Sequence, residues 1–347
     1  MTETPVMLLD KAKIKENYEY FKKELSKVFP KNKVLYSVKT NSLDGAVKSL
    51  SGKDGFEVAS KKELKLVGKT KNEMIVFNGP GKTMEELMLG VKGGAIIIVD
   101  NESELEKILS LKVKPKEIGL RLNIVEKNKF GLSTEQAIKA LQKAMESKVK
   151  VSLIHAHLGT QKSLKEFEDY LKNVKEKLGK LKKFNYGFKL VDLGGGFPGR
   201  IELKERNIKL SDYFNLMKKV LGQELNEKTI VLETGRFIVS DAMQLLTKVV
   251  CLKELNDKNY AVLDAGINYL PKITLNQYKF KVVKERIGKK KVYRLAGPLL
   301  FGNDELSSIN ALLREGDLIQ VENCGAYCTE MFWNLSYGKI KVQEKSF

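Results

Sequence analysis

The chain has 347 residues, of which 42% are hydrophobic and 30% charged, a composition that excludes a disordered protein. Its formal net charge is +19, but the lysines are spread along the chain and alternate with glutamates, as in KEFEDYLKNVKEKLGK from Lys165 to Lys180. They read as solvated helix faces, and nucleic-acid binding is not expected. No apolar run approaches the roughly 20 residues of a membrane helix. The opening MTETPVMLLDKAK does not read as a secretory signal, and three cysteines (Cys251, Cys324, Cys328) make no disulfide framework, so the expectation is a cytoplasmic protein.

Short β-rich runs alternate with helical patterns through the first two thirds. The runs are VLYSV (34–38), MIVFN (74–78), AIIIVD (95–100), IGLRLN (118–123), VSLIHAHL (151–158), KLVDL (189–193) and TIVLE (229–233). Lys-, Glu- and Leu-rich helical segments such as SKKELKLVG, TMEELMLGV and NESELEKILS lie between them. This alternation predicts an α/β fold, a (β/α)8 TIM-like barrel over residues 12–242. From Met243 the runs crowd together (LLTKVVCL, YAVLD, FKVVKER, KKVYRLAG, DLIQVEN, KIKVQEK) and long helices nearly vanish. That predicts a C-terminal antiparallel β domain, residues 243–347, joined by the strand-like opening residues 1–11.

In a parallel barrel the functional side chains sit where strands end. VLYSV ends at Lys39. Lysines are ordinarily solvated, but one that follows a buried run loses proton affinity and becomes an amine nucleophile able to form a Schiff base. VSLIHAHLGTQ carries both histidines, His155 and His157, on one strand face; lacking further ligands at metal spacing, they predict no metal site. Gly194, Gly195 and Gly196 follow KLVDL, and such a turn lets backbone amides approach a phosphate. Glu233, Gly235 and Arg236 end TIVLE: a carboxylate to face a ring nitrogen, then groups to hold a phosphate. Tyr327 stands in a glycine-containing turn of the β domain, with a hydroxyl suited to a phosphate oxygen.

In this order the motifs resemble the fold-type III pyridoxal-phosphate decarboxylases, the alanine-racemase-like group of diaminopimelate, ornithine and arginine decarboxylases. YSVKTN, GFEVASKKEL, GPGKTMEEL, KFGLS, HAHLGTQ, DLGGGFPG, ETGR, LDAG, GPLLFGND and NCGAY carry the resemblance over nearly the whole chain. It implies that Lys39 holds pyridoxal 5'-phosphate as a Schiff base, that His157 stacks on its ring and that Glu233 pairs with its pyridine nitrogen. Gly194, Gly195, Gly196, Gly235, Arg236 and Tyr327 would bind its phosphate. Glu57 and Glu63 match acidic positions near the lysine, Arg121 and Lys129 basic positions around the mouth, and Asp264 a position near the substrate. It further implies a head-to-tail homodimer, with each active site between one barrel and the other subunit's β domain.

The chain departs from the family's pattern in three places. The family's cysteine proton donor would stand at Leu300, in Gly297-Pro298-Leu299-Leu300. The acid that meets the substrate's distal end would stand at Phe301. The arginine of diaminopimelate decarboxylases is absent after LDAG, where the chain reads INYLPKITLNQY; more mildly, ETGR replaces EPGR. The expected reaction is loss of CO2 from Cα of an amino acid or amino-acid conjugate that is neither diaminopimelate nor simple ornithine. A substrate borne on an acidic carrier is one form of this expectation, in view of the net charge. Cys324 and Cys328 are candidate replacement proton donors, although free cysteine is more often a buried hydrophobe. Two other readings stay open: a racemase or epimerase using the same cofactor, and a regulatory homologue without turnover.

Overall fold

The computed structural model describes residues 3–125, 128–160, 163–184, 187–271, 277–335 and 338–345. After strand β1 (Val6–Leu9) and a helix over Lys11–Val28 come eight parallel strands: β2 (Asn32–Ser37), β3 (Gly55–Val58), β4 (Met74–Phe77), β5 (Ile96–Val99), β6 (Glu117–Arg121), β7 (Lys150–His155), β8 (Leu190–Asp192) and β9 (Thr229–Thr234). Each pairs with the next, and β9 pairs with β2 from Asn32↔Ile230 to Tyr36↔Thr234, which closes the barrel. Leu35, Val76, Ile96, Ile98, Leu153 and Val231 form a compact apolar cluster of their own. Gly119 makes room for them, since a Cβ there would meet the Ile98 side chain at 2.4 Å.

The helices start where the sequence supplies caps. Ser60, Thr83, Asn101, Ser133 and Ser163 each accept the N–H three residues on, and Thr83/Glu86, Ser133/Gln136 and Ser163/Glu166 are reciprocal capping boxes. The helix Leu164–Lys182 shows how the lysines are spent. Phe167, Tyr170, Leu171, Val174, Leu178 and Leu181 are buried, while Lys172 pairs with Glu168 at 3.0 Å and Lys180 with Glu176 at 2.7 Å on the wet face. Such exposed pairs add little stability, and their role is solubility.

Past Ala242 the described residues contain strands only: β10 (Met243–Leu255), β11 (Lys258–Leu263), β12 (Lys279–Val282), β13 (Lys291–Ala296), β14 (Glu305–Ala311), β15 (Leu318–Glu322) and β16 (Val342–Glu344). The sheet order is β12-β15-β10-β11-β13-β14, and β1 joins it antiparallel to β10. The domain is mostly antiparallel, with two parallel pairings, β11 with β13 and β1 with β16. No helix among the described residues is long and apolar enough to cross a membrane.

Candidate active site

Lys39 stands just after β2, its amine 2.6 Å from the Oε2 of Glu57 at the end of β3. Glu57 is fully buried. The Nδ2 of Asn78, just past β4, donates to Glu57 Oε1 at 3.3 Å and to Glu233 Oε1 at 2.7 Å. His155, ending β7, sets its Nε2 3.4 Å from Glu233 Oε2. These groups, with Arg121, Asn128, Phe130 and His157, line an open cleft of about 360 Å³ at the C-terminal ends of the strands.

Burial works to lower the proton affinity of Lys39, but the charges of Glu57 and Glu233 outweigh it and raise the amine above the ordinary lysine value. For Glu233, burial favours the neutral acid, and His155 and Lys39 overcome it; its pKa falls below the carboxylate range. His157 is pushed down to about 3 by burial and by the Lys39 charge. Its neutral ring accepts the Gly195 N–H at Nδ1, 3.2 Å away, which leaves its proton on Nε2. Arg121 is held by Asp100 at 3.3 Å and lies 4.3 Å from the centre of the Phe130 ring, forming one wall.

The glycine turn fits a phosphate. Gly194 and Gly196 have φ of +68° and +88°. A Cβ on Gly195 would sit 1.8 Å from the Glu233 carbonyl oxygen, and one on Gly235 would sit 2.0 Å from Thr40 Oγ1. Only glycine lets the turn lie against the end of β9 with its backbone bare. The Arg236 guanidinium lies 5.4 Å from the ring centre of Tyr327. The Tyr327 N–H donates to Thr40 O at 2.8 Å, so the β-domain turn is tied to the segment that carries Lys39. The donor set (amine, anionic carboxylate, neutral flat imidazole, glycine turn, guanidinium) matches the aldehyde, ring nitrogen, ring face and phosphate of pyridoxal phosphate.

The other sequence-predicted residues fall elsewhere. Glu63 accepts the Ala59 N–H at 2.7 Å, outside the cleft lining. Lys129 lines a neighbouring hollow with Asp100 and Gln136. Asp264 does not reach the cleft of its own chain: its carboxylate accepts Thr4 Oγ1 and Thr247 Oγ1, each at 2.6 Å, and the Lys248 N–H at 2.9 Å. Cys324 and Cys328 are fully buried under the Tyr327 turn, Cys328 Sγ lying 3.2 Å from the Tyr278 hydroxyl, and neither lines the cleft. Leu300 is 99% exposed and Phe301 46%, on a loop whose root is tied down by Asp304 through the N–H groups of Leu299 and Ile267. Phe301 packs on Trp333 with ring centres 5.8 Å apart. Gln161 and residues 272–276, part of the stretch after LDAG that lacks the family's arginine, lie outside the described residues. Asn78, Asp192 and Phe130 were not singled out from sequence. Asn78 and Asp192 close barrel strands, so the strand-end rule that found Lys39 and Glu233 reaches them as well.

Taken with the barrel, this site defines an alanine-racemase-like pyridoxal-phosphate enzyme. The family model described as pyridoxal-dependent decarboxylase, pyridoxal binding domain, matches residues 11–240. A diaminopimelate decarboxylase of Pseudomonas aeruginosa is 30% identical over 351 residues, covering 93% of this chain and 83% of the relative. One from Archaeoglobus fulgidus is 28% identical over 356 residues, covering 94% and 84%. Among solved structures, diaminopimelate decarboxylase from Helicobacter pylori complexed with L-lysine aligns with a TM-score of 0.89 at 24% identity, over 100% of this chain and 92% of that one. Lysine/ornithine decarboxylase from Vibrio vulnificus complexed with cadaverine aligns at 0.85 and 22%, over 99% and 95%. The chain belongs to the fold-type III pyridoxal-phosphate-dependent decarboxylases, and it is a carboxy-lyase acting on an amino acid.

Proposed function

We propose that this decarboxylase acts on an amino acid whose distal end is apolar or uncharged. The observation that carries the reading is the Leu300–Phe301 loop. It offers an exposed aliphatic side chain and an aromatic pair, Phe301 on Trp333, where the resemblance places a cysteine and an acid. A distal ammonium or ammonium–carboxylate group would meet no counter-charge on those two side chains, and burying it there would cost several kcal/mol. The loop lines no part of its own cleft, so in this reading it serves a partner subunit's cleft in a head-to-tail homodimer. The curated relatives quoted above are diaminopimelate decarboxylases, which supports diaminopimelate as the second reading.

Bound pyridoxal phosphate supplies the electron sink for the pair left at Cα when CO2 departs. In this proposal Lys39 is the amine that would hold the cofactor. Glu233, fixed as an anion by Asn78 and His155, keeps the proton on the ring nitrogen. His157 offers a neutral flat ring, and the glycine turn, Arg236 and Tyr327 hold the phosphate. Arg121 and Phe130 would form one wall of the cleft.

The test is CO2 release from the purified enzyme loaded with pyridoxal phosphate. The panel runs from meso-diaminopimelate, ornithine and lysine to amino acids with apolar or amide distal ends, with Lys39→Ala as the blank. Turnover confined to the apolar and uncharged substrates is the expected result. Efficient turnover of meso-diaminopimelate would replace this reading with the second one.

A further inference from the structure

Asp192 ends β8 beneath the floor of the cleft. It is fully buried and does not line the cleft. Its Oδ1 accepts the N–H of Gly194, the first glycine of the phosphate turn, at 2.8 Å. Its Oδ2 is buried with no hydrogen-bond partner. An oxygen of Asp192, an oxygen of Glu233 and a ring nitrogen of His155 all lie within 4.8 Å of one another. Glu233 already has partners that suit an anion: the Asn78 donor on Oε1, His155 facing Oε2, and the charge of Lys39. Asp192 has one backbone donor and no cation.

Two carboxylates this close in a dry site do not both ionise; the environments separate them into one acid and one anion. Burial first, and then the charge of Glu233, push the Asp192 carboxyl well above the usual carboxylate range. We propose that Asp192 is a protonated carboxylic acid joining the two ends of the cofactor seat, its Oδ1 holding the phosphate turn at Gly194 and the proton on its Oδ2 donated to Glu233. Asp192 is then a positioning residue. It touches neither cofactor nor substrate, but it sets the charge on the ring-nitrogen partner and its register against the phosphate turn. The proposal rests on pyridoxal phosphate binding in this cleft and is independent of the substrate.

Asparagine is the isostere of the neutral acid: its Oδ1 accepts from Gly194 and its Nδ2 donates to Glu233. The first experiment is an infrared difference spectrum of the apoproteins, wild type minus Asp192→Asn, at about pH 8, above the carboxylate range. The carbonyl band of a protonated carboxylic acid is expected, and its absence would overturn the proposal. The second titrates apoproteins with pyridoxal phosphate. Asp192→Ala is expected to weaken binding about 30-fold, the loss of a buried hydrogen-bond pair, and Asp192→Asn to recover it to within about 3-fold of wild type. Equal losses in the two variants, or none in the alanine variant, would overturn it. So would weaker binding after chelator treatment, which would put a cation in the gap instead of a proton. If thermal melts show Asp192→Ala unfolded, the infrared band and the asparagine variant still decide. A wild type that does not bind pyridoxal phosphate yet shows the band would point to failure of the cofactor reading alone.

Discussion

Lys39 reaches the cleft already paired. Glu57 at 2.6 Å and the charge of Glu233 hold it as an ammonium, although only the neutral amine attacks an aldehyde. Removing one of the two charges makes the proton easier to lose. Glu57→Gln is therefore expected to move the rise of the cofactor-association rate to lower pH, read by following the absorbance of added pyridoxal phosphate across a pH series. An unmoved profile would mean that Glu57 does not govern the amine. His157 makes a second prediction. Its folded pKa, about 3, lies below its ordinary value of 6.5, so between those limits the unfolded chain binds the extra proton. Stability due to this group is whole above pH 6.5 and lost as pH falls toward 3. The apoprotein melting temperature should fall through this window more steeply in wild type than in His157→Asn. Lys39 and Glu233 were legible in the sequence because a charged residue closing an apolar strand is conspicuous. Asn78 and Asp192 were not, because an asparagine before Gly79 and an aspartate two residues before Gly194 also read as ordinary turn residues. The resemblance placed Asp264 near the substrate. One of the hydrogen bonds on it comes from Thr4, 260 residues away in the chain, which no local pattern reveals.

Elements place these side chains, and the glycines at their ends are unequal. A methyl group at Gly195 would meet the Glu233 carbonyl oxygen at 1.8 Å, a backbone atom that cannot move without shifting β9. Gly179 lies inside the helix Leu164–Lys182 with nothing within 4 Å of an added Cβ. Gly195→Ala is expected to abolish cofactor binding, and Gly179→Ala to stabilise the fold by about 0.5–1 kcal/mol, the helix preference for alanine. Cofactor titration and denaturant unfolding check the pair. If Gly195→Ala retained cofactor affinity, the turn would not be built on that approach. Seven barrel strands were legible as β-rich runs. The eighth, Gly55–Val58, opens on glycine and carries Glu57 inside it, so it shows no continuous apolar run, and only its motif pointed to it. Strand β14, ELSSINA, was hidden for another reason: it is an edge strand with mostly polar residues and shows no apolar run.

At the scale of the whole molecule, the β domain does two different jobs. Near its start and end it closes on its own barrel: β1 pairs with β10, Asn41 Nδ2 donates to Gly325 O at 3.0 Å, and Tyr327 is tied to Thr40. The Leu300–Phe301 loop instead leaves large apolar side chains in water, which a monomer gains nothing by exposing. The proposed head-to-tail dimer, in which the cleft of a second copy receives that loop, would account for both facts. The arrangement has a consequence that mutation of one chain alone cannot imitate. In the head-to-tail dimer proposed above, Lys39→Ala would damage the cleft of its own subunit and Phe301→Asp the cleft of the other. Each homodimer would then have two damaged clefts, but a mixed dimer would have one cleft carrying both lesions and one carrying neither. Mixing the two inactive proteins under conditions that exchange subunits should therefore restore decarboxylation, with activity rising to a plateau set by the mixed-dimer fraction. If Phe301 served the cleft of its own chain, every cleft in the mixture would carry one lesion and no activity would return.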